Sequence, residues 1–242
     1  MISLFHSIIT TPFYNGLILL MDFLPFFDAG MIIIIFTIIV KLLLLPLSIK
    51  ASKAQLQMKG TEKDLQVIKE KYKDNKDEQS KKTLEYYKEK NINPFAGFFI
   101  LILQLPILIG LYQVFLKSGL PNINTVILYS FIPAPSAVNM VFLHFVSISE
   151  KSLILAVVAG ITTYFQISLA NPKPAPGSEG PAQNEIATAM AMQMKYFFPI
   201  IMTFIAYTIS SAIALYLITS NIFAILQEIY IRKKYHKSTI VV

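Results

Sequence analysis

The 242-residue chain contains no cysteine. Disulfides and thiolate metal sites are therefore excluded, and nothing reports the redox compartment. Its three histidines, His6, His144 and His236, are too scattered in sequence to suggest a metal cluster. Neither lysine nor arginine precedes Met31, so the N-terminus lacks a basic n-region, and no small-residue cleavage site follows a short apolar core. No cleavable signal peptide is expected. Nucleotide loops, serine–histidine constellations, metal-ligand spacings and paired carboxylates at membrane depth are also missing. An intramembrane protease or a proton-coupled carrier would want such groups. The chain reads as a non-enzyme with no cofactor.

Hydrophobic residues, by contrast, make up 55% of the chain, and the mean hydropathy is +0.58. That balance belongs to a membrane protein. The net charge of +7 comes mostly from lysines beside apolar runs. Such placement suits cytosolic loops near anionic membrane lipid, and no specific nucleic-acid binding is expected.

A membrane-spanning helix needs about 20 apolar residues. Met31–Ile49, Phe95–Phe115 and Ser152–Ala170 each meet that length, and Pro46 predicts a kink or early exit in the first. The last block, Tyr196–Ile231, is too long for one crossing, and Ser210-Ser211 at its midpoint predicts a tight turn between two spans. Five spans result, in an all-α integral membrane protein whose core covers residues 29–242. In residues 1–28 the apolar runs are broken by Pro12, Asn15, Asp22, Pro25 and Asp28, which predicts an amphipathic helix lying in the outer interface.

Lysine and arginine counts orient the chain. The segment Lys50–Pro94 carries twelve, Lys117–Lys151 two, Asn171–Lys195 two and Arg232–Val242 four. An outside N-terminus and a cytosolic C-terminus place eighteen of them inside and two outside, as the positive-inside rule requires. Residues 50–94 predict a cytosolic helical hairpin. One arm carries Leu56, Leu65, Val67, Ile68 and Tyr72 as an apolar seam, the turn falls at Lys73–Asp77, and Leu84, Tyr86 and Tyr87 lie on the second arm. The hairpin is either a solvated connector or a dock for a partner or lipid headgroups, and sequence alone favours neither. Residues 171–195 begin with a Pro/Gly-rich run and predict a flexible cytosolic loop.

Lys41 is the one cation inside the Met31–Ile49 run. A charge at bilayer depth costs at least roughly 2.5–3.5 kcal/mol, which makes it a functional candidate. Snorkelling to an interface is the bland reading; a polar cavity is the sharper one. Gln104, Thr162, Thr163, Gln166, Ser220, Asn221 and Gln227 also fall within the apolar spans. Singly, each is interhelical glue. Together with a lysine that has no intramembrane acid in the first three spans, they predict a shared hydrated groove.

Asp28–Ser48, the lysine-rich hairpin, Asn93–Tyr112, Thr162-Thr163-Tyr164-Phe165-Gln166 and the closing Ala214-Leu215-Tyr216…Ser220-Asn221…Gln227 together resemble the YidC family of membrane protein insertases. The likeness runs through essentially the whole chain in order and matches the compact five-span form. It implies a bacterial cell-membrane protein with a hydrophilic groove open to cytosol and lipid. Its expected role is to help small membrane proteins insert and fold, alone or beside the Sec translocon. Nascent membrane proteins, the ribosome and membrane lipids are the implied partners. Lys41 stands where the family's groove arginine stands. Ser211-Ala212 and Leu217 replace the usual Pro-Gly pair and the aromatic after the tyrosine. The competing classes are a small anion or solute transporter subunit and a membrane assembly scaffold.

Overall fold

The computed structural model describes residues 5–90, 96–117, 120, 122–135, 137–170 and 192–236. Most of the predicted flexible loop, residues 171–191, lies outside them. The described chain is overwhelmingly helical, the form in which an apolar segment satisfies its own backbone hydrogen bonds in lipid. A π-helical turn over His6–Thr10 runs into α1 (Thr11–Phe23), with Pro12 in the first turn, where an N–H has no helical acceptor. Asp28 caps α2 (Ala29–Leu43) by accepting from the Met31 N–H at 2.9 Å.

The first apolar run is not one straight rod. α2 ends at Leu44, α3 (Leu45–Gly60) follows, and the pair is bent by 62°. Pro46 has no N–H to extend the ladder back into α2. α4 (Glu62–Lys71) and α5 (Lys76–Glu89) come next, and Asn75 caps α5 through the Glu78 N–H. These two arms are tied by Gln79 Nε2 donating to the Lys69 carbonyl (2.8 Å) and by Tyr86 donating to Asp64 (2.5 Å). The Asp64 carboxylate pushes the Tyr86 phenol up to about 12. The seam between the arms is narrower than the sequence pattern predicts: Leu65, Ile68, Tyr86 and Tyr87 are partly covered, while Val67 and Leu84 face outward.

α6 (Ala96–Lys117) carries Pro106 in its interior. A two-stranded antiparallel hairpin, β1 (Val141–Phe142) and β2 (Val146–Ser147), then precedes α7 (Leu153–Ala170). Another π-helical turn, Gln193–Phe197, leads into α8 (Phe198–Ile209). The chain is extended at Ser210 (φ −171°, ψ 164°), and α9 (Ser211–His236) starts at once. The turn therefore falls at the serine pair. Ser211 is held there by its N–H and Oγ, both donating to the Glu150 carbonyl at 2.7 Å.

Side-chain contacts fix the packing directions. α7 and α9 run parallel: Asn221 meets Thr163, and Arg232 meets the Leu169 carbonyl. α8 runs antiparallel to α7, with Tyr196 beside Tyr164 and Thr203 against Gly160. Ala156, Ala159, Gly160 and Thr163 form the small-residue stripe that admits this close approach. Two described helices, Leu153–Ala170 and Ser211–Lys234, are long and apolar enough to cross a membrane, and the bent α2–α3 pair adds a third; Gln104–Phe115 is a shorter apolar helix.

The buried core is concentrated at one end. Tyr14, Leu17 and Ile18 of α1, Ile32 and Ile33 of α2, Leu111 and Val114 of α6, Ile148, and residues 212–217 pack there. The segment between α6 and α7 folds over this end. Asn15 of α1 donates to the Ile127 carbonyl (2.9 Å) and accepts from the Tyr129 N–H (2.6 Å), while Tyr14 accepts from the Asn124 N–H (2.7 Å). The opposite end, toward the α4–α5 hairpin, is where polar side chains collect.

Candidate functional site

Lys41 leaves the last turn of α2 and points between α6 and α9. Its Nζ donates to Gln104 Oε1 at 3.0 Å. The same amide donates through Nε2 to Ser220 Oγ at 3.0 Å. Three helices are thus joined by one chain of polar contacts, and its only ionic member is the lysine. Among the described residues, ion pairs form at Lys82–Glu85 and Glu228–Arg232, and neither involves Lys41. Among the described residues no carboxylate forms an ion pair with this cation.

These groups line a recess containing about 620 Å³ of unfilled space, its open side included. Ser48, Gln166, Gln227 and Glu228 share the lining with Lys41 and Gln104. The 62° bend after α2 carries α3 along α9, so Ser48 Oγ reaches Gln227 Oε1 at 2.9 Å. Glu228 is buried and accepts from Arg232 Nε at 2.8 Å; Arg232 also donates to the Leu169 carbonyl, near the end of α7. Tyr216 lies one turn before Ser220. Its hydroxyl faces Ser220 and Gln104, is fully buried, and has no hydrogen bond of ordinary geometry.

The structure divides the residues selected from sequence into two groups. Lys41, Gln104, Ser220, Gln166 and Gln227 converge on the recess or its immediate wall. Thr162, Thr163 and Asn221 close on each other: Asn221 Nδ2 lies 2.8 Å from Thr163 Oγ1 and 3.1 Å from Thr162 Oγ1, and Thr163 donates to the Ala159 carbonyl at 2.7 Å. These three serve as a lock between α7 and α9. Ser48, Ser52 and Glu228 line the recess without having been selected. Ser48 and Ser52 reach it only through the 62° bend after α2, which a helical spacing counted from Lys41 does not foresee. Glu228 directly follows Gln227, but its position near the end of the last apolar block masked it.

The recess is lined by Lys41, Glu228 and neutral polar side chains, set against apolar walls. It carries no His/Cys/Asp/Glu group fit to hold a metal among the described residues.

The model of the 60Kd inner membrane protein family matches residues 21–238. A membrane protein insertase YidC of Fusobacterium nucleatum is 32% identical over 207 residues, covering 86% of this chain and 87% of the relative. One of the same name from Clostridium tetani is 33% identical over 210 residues, covering 86% and 84%. A third, from Francisella philomiragia, is 30% identical over 206 residues; the match takes in 85% of this chain but 33% of that longer protein.

Proposed function

The chain belongs to the 60Kd inner membrane protein family, and on that premise we propose that it is a membrane protein insertase acting through the Lys41 recess. The family is not one of enzymes, and the chain is a multi-pass membrane protein. In this reading five segments cross the bilayer: the bent α2–α3 pair, α6, α7, the π-turn with α8, and α9. The N-terminus lies outside and the C-terminus in the cytosol, so that eighteen of the lysines and arginines stay inside. In the same reading residues 5–28 pack at the outer face, and residues 50–90 project as the cytosolic hairpin.

The observation that carries the proposal is the pairing of Lys41 with a neutral amide. An acidic or polar outer segment of a substrate enters from the cytosol and exchanges with Gln104 at Nζ. Its apolar segment meets lipid beside the recess. The polar part then has less hydrocarbon to cross before release outward, since the recess replaces part of that thickness. The packed end around Ile148 and residues 212–217 suits a closed outer side that limits leakage. Nascent membrane proteins are the substrates, with the ribosome and the Sec translocon as partners of the cytosolic face.

Reconstitution tests this directly. Proteoliposomes containing the full chain should speed insertion of a single-span substrate with a short acidic outer tail, relative to empty liposomes. Lys41→Ala should lower that rate by about tenfold or more, in line with the roughly 1.5–3 kcal/mol of a charge-assisted hydrogen bond. Lys41→Arg should retain most of it. Normal insertion by Lys41→Ala would remove the recess cation from the mechanism. A photo-crosslinker at position 41 should yield nascent-chain adducts; solute-dependent flux without adducts would favour a transporter instead.

A further inference from the structure

A second cation without a carboxylate partner among the described residues, Lys195, lies across α7 from the recess. Its Nζ sits 5.7 Å from the ring centre of Tyr164 and 5.2 Å from that of Tyr196, and the two rings are 6.0 Å apart. Tyr164 follows Thr163, the partner of Asn221, while the adjacent Ser220 joins Gln104 and so Lys41. Thr163 and Tyr164 are thus neighbours on α7, Thr163 turned to α9 and Tyr164 to Lys195. Gln166, which lines the recess, is about 200° around α7 from Tyr164 at 100° per residue. Lys195 faces away from the recess.

It faces the lipid side. Met192, Tyr196, Phe197, Ile200 and Phe204 are all more than half exposed and form a continuous apolar border with Phe165 of α7. Among the described residues no carboxylate pairs with Lys195, and neither the Tyr164 nor the Tyr196 hydroxyl has a hydrogen-bond partner. An ammonium and two phenols, all able to donate, thus meet at the border of an acyl-chain surface. The π-helical turn Gln193–Phe197 presents Lys195 and Tyr196 there, and such turns are frequent at functional sites. The Gly160–Thr203 contact holds α7 and α8 close beside it.

We propose that Lys195, Tyr164 and Tyr196 form a binding site for the phosphate of an anionic phospholipid, whose acyl chains lie along the exposed face of α8. The phosphate supplies the acceptors that the cluster lacks. A net-negative headgroup is preferred over a zwitterionic one, because the choline or ethanolamine cation would compete with Nζ for the same phosphate. The site is separate from the substrate recess and does not depend on the insertase reading.

The chain has no tryptophan, so one can be introduced as the sole reporter. Tyr196→Trp keeps the stacked ring beside Lys195. In phosphatidylcholine vesicles, brominated phosphatidylglycerol should quench it as though enriched about fivefold over brominated phosphatidylcholine at the same mole fraction, the ratio expected for one lysine near the headgroups. Adding Lys195→Gln should abolish the preference, and Lys195→Arg should keep it. A separate Phe204→Trp reporter, farther along the same face, should show no preference. Equal quenching by the two lipids at position 196, an equal preference at position 204, or a preference that survives Lys195→Gln would each overturn the proposal. If Lys195→Gln reduces folding, Tyr164→Phe in the Tyr196→Trp background removes both hydroxyls while keeping the charge. It should then lower the enrichment, and an unchanged value would count against the site.

Discussion

Tyr216 and Asn221 sit five residues apart on α9 and differ in how their polar atoms are served. The Tyr216 hydroxyl is buried facing Ser220 and Gln104 without a hydrogen bond of ordinary geometry, whereas Asn221 Nδ2 is served by two threonines and a carbonyl. An unsatisfied buried polar group costs about 1–3 kcal/mol. Tyr216→Phe should therefore raise stability in detergent by about 1 kcal/mol, followed by thermal unfolding. Asn221→Leu should lower it by about 0.6–2 kcal/mol, since bonds between membrane helices are individually modest. A Tyr216→Phe variant less stable than the parent would mean that the hydroxyl has a partner in the membrane. Residue type made Lys41, Gln104 and Ser220 legible, because a polar side chain in an apolar run must find company. Ser48 and Ser52 were not, because their place in the recess depends on the bend that lays α3 along α9. Chemistry was visible in one dimension, but the partners were not.

At the level of elements, the α7–α8 contact rests on Gly160. A Cβ there would lie 1.8 Å from Thr203 Oγ1 and 3.3 Å from the Pro199 carbonyl oxygen. Thr203 cannot simply swing aside, since its hydroxyl donates to that same carbonyl at 2.9 Å. Gly160→Ala should cost about 1–3 kcal/mol of stability, the usual range for overpacking. Adding Thr203→Ala should recover part of the loss, and a double-mutant cycle reads the coupling. Strictly additive losses would show that the helices separate instead. Helix breaks were readable wherever the sequence carried a local device: the Ser210-Ser211 turn, the Asn75 cap and the bend beside Pro46. The β1–β2 hairpin was not, because its two-residue strands are too short for an alternating pattern. They are fixed by distant contacts, such as the Leu143 N–H donating to Asp28 (3.2 Å). A helix within residues 1–28 was foreseen, but the contacts that hold α1 were not. Asn15, a break in the apolar pattern, is what fastens this helix to residues 127 and 129.

For the molecule as a whole, the apolar packing lies at one end and the polar recess toward the other, with the charged hairpin beyond it. The absence of native cysteine makes its orientation directly measurable. Lys73→Cys, in the turn of the α4–α5 hairpin, should react with an impermeant maleimide only from the cytosolic side of sealed membranes. Phe145→Cys, at the 89% exposed tip of β1–β2, should react only from the outer side. Labelling of both from the same face would overturn the five-span arrangement.

The amide partner of Lys41 has an electrical consequence. A lysine matched to a carboxylate behaves at a distance as a dipole, and its potential falls with the square of the separation. Lys41 on Gln104 remains a monopole, with a potential that falls only as the first power and is weakly screened among apolar walls. Glu228 does not cancel it, because that carboxylate is engaged by Arg232. The field of one ammonium therefore extends to the open side of the recess, and in the insertase reading proposed above it biases the approach of an acidic segment before any contact forms.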